Sequence, residues 1–202
     1  MKVVILGTRG FPNVQGGVEV HCQYLTENLV NLGCEVIVIT RKSYVDPNIK
    51  EFKGVKLKSV FDFKVKALET FFHTMIGVWV AFLYRPDILH IQGIGPGLFT
   101  PLARLLGMKV VVTSHGSNYR HLKWGPFAKF ILRIGELFSV CFANRLISIS
   151  EFINDEIRSK YHKESTIIRN GVEVKKKSQQ SVLSKTLPSG AFFAISTLLI
   201  HH

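Results

Sequence analysis

From its second residue to about residue 168 the chain alternates short runs of β-branched and other apolar residues with longer stretches that carry apolar residues at helical spacing. That alternation constrains the fold more than any other feature. A run such as Val3–Leu6 has no polar position, so it needs cover on both faces of a sheet. Runs of the same kind are Glu35–Thr40, Asp87–Gln92 after Arg85-Pro86, Lys109–Thr113, Arg145–Ile149 and Ser165–Ile168; Val55–Val60 is a weaker one. Helices are expected between them: Val18–Leu32, stopped by Gly33; Lys66–Tyr84; Gly97–Leu106, stopped by Gly107; Pro126–Ala143; and a last one capped by Ser150 and running to Tyr161. Strands that alternate with helices in this way build a doubly wound parallel α/β sheet with helices on both faces. Ligands of such sheets sit beyond the carboxyl ends of the strands, so the residues just after each strand are the ones to read for chemistry.

Composition narrows the partners. Lys and Arg outnumber Asp and Glu 26 to 14, a net charge of +12. That excess favours anionic partners. No ribonucleoprotein motif, zinc-finger spacing or basic-leucine pattern is present, so no nucleic acid is expected. Cys22, Cys34 and Cys141 are odd in number and lack CxxC spacing. They read as reduced, buried thiols of a cytosolic protein, and no metal is expected. No apolar stretch reaches the roughly 18–20 residues of a membrane span. The expected location is therefore the cytoplasm, in solution or peripherally on the inner face of the membrane.

The loop after the first strand is Gly7-Thr8-Arg9-Gly10-Phe11-Pro12, and Gly16-Gly17-Val18-Glu19 opens the next helix. This is not the dinucleotide GxGxxG spacing. Paired glycines at a helix start allow close approach of a ligand to exposed amides, which suits a phosphate; a purely structural turn has the same composition. His115, in Ser114-His115-Gly116, falls where an active-site group would project from a strand end. His90 lies inside a strand and reads as a buried, hydrogen-bonded side chain. Gln92-Gly93-Ile94-Gly95-Pro96-Gly97 is a shaped turn at the same edge. Tyr119, Arg120, His121, Lys123, Trp124, Phe127, Lys129, Phe130 and Arg133, with Phe71 and Phe72, could form a basic aromatic face toward an anionic membrane.

These segments, taken in order with Lys123-Trp124-Gly125, Ile149-Ser150-Glu151 and Ile168-Arg169-Asn170-Gly171-Val172-Glu173, resemble the retaining glycosyltransferases of GT-B fold, closest to the bacterial rhamnosyltransferase-like branch of family 4. The resemblance covers residues 1–173 and implies the acceptor-side, N-terminal Rossmann-like domain of a two-domain enzyme of polysaccharide biosynthesis. It implies that Gly16 and Gly17 approach the donor diphosphate, that His115 is the catalytic-site residue beside the transferred sugar, that Glu19 and Trp124 face the acceptor, and that Asn170 and Gly171 form the hinge. The donor, a nucleotide sugar such as dTDP-rhamnose, is a substrate, and no cofactor is implied. The acceptor would be a glycan or a lipid-linked sugar.

Residues 174–190 read as a linker and 191–202 as a remnant of the first strand of a donor-binding domain. Thr197 stands where the family has an Arg, and the family's Lys and paired-glutamate motif are missing. The expectation is a truncated or split enzyme that is inactive alone. Two other readings are a non-catalytic membrane- or glycolipid-binding module and a nucleotide-dependent oxidoreductase. The glycine spacing and the basic pair Arg41-Lys42 after the second strand argue against the latter.

Overall fold

The computed structural model describes residues 1–61, 66–116 and 125–171, with only the backbone of 66–68. Trp124, the expected linker 174–190 and the expected strand remnant 191–202 lie outside the described residues.

The strands are β1 (Lys2–Leu6), β2 (Glu35–Arg41), β3 (Glu51–Phe52), β4 (Val55–Val60), β5 (Ile88–Gln92), β6 (Val110–Ser114), β7 (Arg145–Ser148) and β8 (Thr166–Ile167). The helices are α1 (Gly17–Asn31), α2 (Lys66–Leu83), α3 (Thr100–Leu105), α4 (Pro126–Phe142) and α5 (Glu151–Tyr161), and a 3₁₀ turn, Pro96–Phe99, precedes α3. They form one sheet in the order β3-β4-β2-β1-β5-β6-β7-β8. Every pairing is parallel except β3–β4. The chain winds outward from β1 through β2 to β4, returns to β5 beside β1, and then winds the other way. The reversal between β1 and β5 is the topological switch point of a doubly wound fold.

The apolar runs are explained by two cores. Val3 and Ile5 of β1 join Val36 and Val38 of β2 on the face covered by α1. Val4 and Leu6 join Ile37 and Ile39 on the face covered by α2 and α3. The weaker run, β4, buries Val55 and Leu57 and exposes Lys56 and Lys58. The strand β3 joins it through a two-residue turn, Lys53-Gly54, with both φ angles positive. Neither β3 nor this hairpin is in the sequence reading.

Both glycine stops operate by one mechanism. At the end of α1 the amides of Gly33 and Cys34 donate to the carbonyls of Val30 and Leu29; at the end of α3 those of Gly107 and Met108 donate to Arg104 and Ala103. Gly33 (φ +83°) and Gly107 (φ +81°) take the left-handed conformation this Schellman arrangement requires. Ser150 caps α5 by accepting the amide of Ile153. One cysteine reading is corrected: Cys22 and Cys34 are buried, but Cys141 is exposed, because it falls on the outward side of α4.

The helix α4 fixes the loop that follows β5. A Cβ on Gly135 would collide with the carbonyl oxygen of Ile94, and one on Gly97 with the hydroxyl of Ser139. Backbone therefore meets backbone across this contact. Gly135→Ala is expected to lower the unfolding free energy by about 1–3 kcal/mol, as overpacking does. Urea denaturation checks this, and wild-type stability in the variant would contradict the contact.

Candidate functional site

Four strand ends converge at the switch point. The first contribution is the loop after β1. Gly7 has φ +104°, and a Cβ there would lie 2.5 Å from the carbonyl oxygen of Gln92 at the end of β5. The loop thus leaves β1 in direct contact with the neighbouring strand. Thr8 accepts the amide of Gly10, and Phe11, fully buried, packs edge-on against Phe52.

The same loop is clamped to the first turn of α1. Arg9 donates from Nε and Nη2 to the two carboxylate oxygens of Glu19, both at 3.0 Å, and from Nη2 to the carbonyl of Gln15 at 2.6 Å. Paired, parallel hydrogen bonds of this kind are the strongest Arg–carboxylate geometry. Glu19 is only 6% exposed. Burial opposes its charge, but the hydrogen bonds from Arg9 and from backbone amides prevail and hold its carboxyl below the usual carboxylate range. Gly16 is required here, because a Cβ would strike the Glu19 carboxylate. Gly17 differs: a Cβ there would meet nothing within 4 Å, since it points into open space. No side chain caps this helix start. The Glu19 carboxylate takes its own amide, and Gly17 and Val18, ahead of it in the first turn of α1, line a cavity at this helix N-terminus.

The wall on the β2 side is a second ion pair. Arg41, at the end of β2, donates to Glu69 of α2 at 2.6 Å and to Thr70 at 3.3 Å. Both charged side chains are about nine-tenths buried. The far wall is the row His115, Gln92, His90 and Thr113. His115 Nε2 lies 2.9 Å from Gln92 Oε1, Gln92 Nε2 lies 3.2 Å from His90 Nε2, and His90 Nε2 lies 2.8 Å from Thr113 Oγ1. His21 of α1 packs edge-on against His115, with ring centroids 5.6 Å apart.

Between these walls lies a cavity of about 470 Å³, lined by Gly7, Arg9, Gly16, Gly17, Glu19, Arg41, Gln92, the Gly93–Pro96 turn, His115 and Leu132. Of the residues singled out from the sequence, Gly16, Gly17, Glu19 and His115 meet in it. Asn170 and Gly171 follow β8 and are not among its lining residues. His90 is fully buried and hydrogen-bonded, as its place inside a strand suggested. Sequence reasoning missed Arg9, Arg41, Gln92 and His21. Arg41 was legible only as the lack of an acidic residue after β2; its position at a strand end next to the switch point was the available signal.

Burial holds the three histidines neutral. It lowers His21 and His115 to about 4 and His90 to about 3, with like-charge repulsion from His21 adding to the effect at His90 and His115 and Glu19 opposing it at His115. Unfolding releases them to the ordinary histidine range, so the unfolded chain binds more protons between pH 4 and 6.5. Stability is therefore complete above about pH 6.5 and is lost as pH falls, at about 1.4 kcal/mol per pH unit for each histidine that charges only on unfolding. Urea titrations at pH 7, 6 and 5 check this. A stability independent of pH over that range would contradict the burial of these rings.

Comparison with known proteins agrees with this geometry. The family model described as Glycosyltransferase Family 4 matches residues 15–176. Among solved structures, sucrose-phosphate synthase from Thermosynechococcus elongatus superimposes with a TM-score of 0.65 at 17% identity, over 83% of this chain and 47% of that one. Anabaena HepE in complex with UDP and glucose gives 0.61 at 12%, over 85% and 45%. The lipopolysaccharide outer core galactosyltransferase WaaB in its apo form gives 0.57 at 20%, over 87% and 47%. At these identities the likeness shows the fold, that of a GT-B N-terminal domain. The chain spans less than half the length of each of these structures. No curated protein sequence matches it. With the model covering most of its length and the cavity at the expected strand ends, the chain belongs to glycosyltransferase family 4.

Proposed function

We propose that this chain is the acceptor-side part of an enzyme that moves a hexosyl or rhamnosyl group from a nucleotide sugar to a lipid-linked or polysaccharide acceptor in the cytoplasm. The observation that carries the reading is the cavity at the switch point, where uncapped glycine amides and a neutral imidazole face the same space. The Gly17 end suits the diphosphate, because helix N-terminal amides stabilise anions. The His115 end suits the sugar, because a neutral ring exchanges hydrogen bonds with hydroxyls. Glu19 keeps Arg9 and the acceptor-side loop in place, and Asn170 and Gly171, following β8, act as the hinge.

Charge supports a division of labour. Both arginines at the cavity are matched by carboxylates, Arg9 by Glu19 and Arg41 by Glu69. The leaving diphosphate needs uncompensated positive charge in a closed site. We therefore expect no sugar transfer by this chain alone in a radiolabelled transfer assay. Titration with UDP or dTDP at millimolar concentration is expected to shift the Gly17 and Val18 amide resonances, and Gly17→Ala to weaken that binding about tenfold while leaving the fold intact. Transfer by the chain unaided, or undisturbed Gly17 and Val18 amides, would sink the proposal.

A second reading is favoured by exposed apolar side chains on α2, α3 and α4. Trp79 and Leu83 of α2, Leu105 of α3 and Phe127 and Phe130 of α4 are 50–85% exposed, and Arg133 of α4 is exposed. Among the described residues no helix is long and apolar enough to cross a membrane. Exposed aromatics with a net charge of +12 suit peripheral attachment to an anionic leaflet. Co-sedimentation with phosphatidylglycerol vesicles is expected at low salt and should fall several-fold by 0.5 M NaCl. Failure to bind these vesicles at any salt concentration would remove the reading.

A further inference from the structure

The row of side chains joining β5 to β6 carries an inference that depends on the sugar-transfer reading only for the identity of its ligand. An amide side chain has one donating end and one accepting end. With its NH₂ turned to His90, Gln92 donates to His90 Nε2, 3.2 Å away, which makes that nitrogen a bare acceptor and leaves the His90 proton on Nδ1, a buried atom with no hydrogen-bond partner among the described residues. The Gln92 carbonyl can only accept, so His115 Nε2, 2.9 Å away, carries the proton and His115 Nδ1 is bare. Thr113 Oγ1 lies 2.8 Å from the same nitrogen, whose one lone pair it shares with the Gln92 amide in this arrangement. Reversing the amide would reverse both rings together, so the two imidazoles hold opposite tautomers in either orientation.

The surroundings sharpen this. Gln92 is 2% exposed and His90 is fully buried, so water cannot substitute for the contact between them. His115 is half-buried and lines the cavity. Among the described residues, Nδ1 of His115 has no hydrogen-bond partner. The charged and titratable groups around it are His21 and Glu19 on α1, His90 on β5, and the paired Arg9 and Arg41 across the cavity.

We propose that Gln92 is a positioning residue whose single amide locks His115 and His90 into opposite neutral tautomers, so that His115 presents a bare Nδ1 to the cavity as an acceptor for a ligand hydroxyl. A bare imidazole nitrogen accepts a hydrogen bond from a hydroxyl and repels a phosphate oxygen. The amides at Gly17 have the reverse preference. The two ends of the cavity thereby fix which way a sugar diphosphate lies.

The test reads the ring nitrogens directly, by long-range proton–nitrogen correlation on the full chain labelled with ¹⁵N-histidine at pH 7. The expected result is a protonated Nε2 and bare Nδ1 at His115, with the reverse at His90. The same tautomer in both rings, or an averaged mixture at His115, would overturn the coupling. Opposite tautomers with the polarity exchanged would overturn the acceptor role of Nδ1. In Gln92→Met, which keeps the length and removes the amide, His115 is expected to relax to a mixture of both tautomers; an unchanged His115 would overturn the role of Gln92. If that variant does not fold, the wild-type spectrum decides alone. The ring measurement needs no ligand, so loss of the sugar-transfer reading, seen as undisturbed Gly17 and Val18 amides with UDP, is distinguished from loss of this one.

Discussion

The site depends on how closely the exit of β1 can approach the end of β5. Those strands sit side by side only because the winding reverses between them, and the chain must leave both at the same edge. Gly7 resolves the crowding: with no Cβ and a positive φ, it passes against the backbone of Gln92. Any side chain would force the two strand ends apart. The spacing of the cavity walls follows, since Arg9 hangs from one exit and the Gln92–His115 pair from the other.

The electrostatics are those of a site held ready and not of one already charged. Two buried or half-buried ion pairs line the cavity, and each is internally neutral. Pairs of this kind contribute little net stability, because desolvation offsets much of the attraction. Their value is geometric. The Arg9–Glu19 pair ties a long loop to a helix start, and Arg41 links the end of β2 to Glu69 and Thr70 of α2. The remaining polarity comes from backbone amides and neutral rings, which are fixed by the fold and do not reorganise when a ligand enters.

The sheet was legible because burial on two faces leaves a strong mark. Runs such as Val3–Leu6 admit few other interpretations, and glycines 33 and 107 announced their helix ends. The hairpin at Lys53-Gly54 was missed because β3 is two residues long and half exposed, too short for a period-2 pattern. Gly16, Gly17, Glu19 and His115, singled out because they follow strands in sequence, line one cavity. Arg9, Arg41 and Gln92 were not assigned roles, because their meaning lies in partners 10 to 28 residues away. Glu19 illustrates the limit: its place in the motif was visible, but its engagement with Arg9 was not.

The uneven exposure of the cysteines has a practical consequence. Cys22 is fully buried, and burial pushes its thiol far above the ordinary range, while Cys34 is also enclosed. Cys141 stands alone on the outer surface of α4, one helical turn beyond the exposed Leu137 and beside Phe142. A maleimide reagent will therefore discriminate among the three thiols without mutagenesis. The native chain carries its own attachment point for a fluorophore or spin probe, set in the apolar surface whose surroundings such a probe would report.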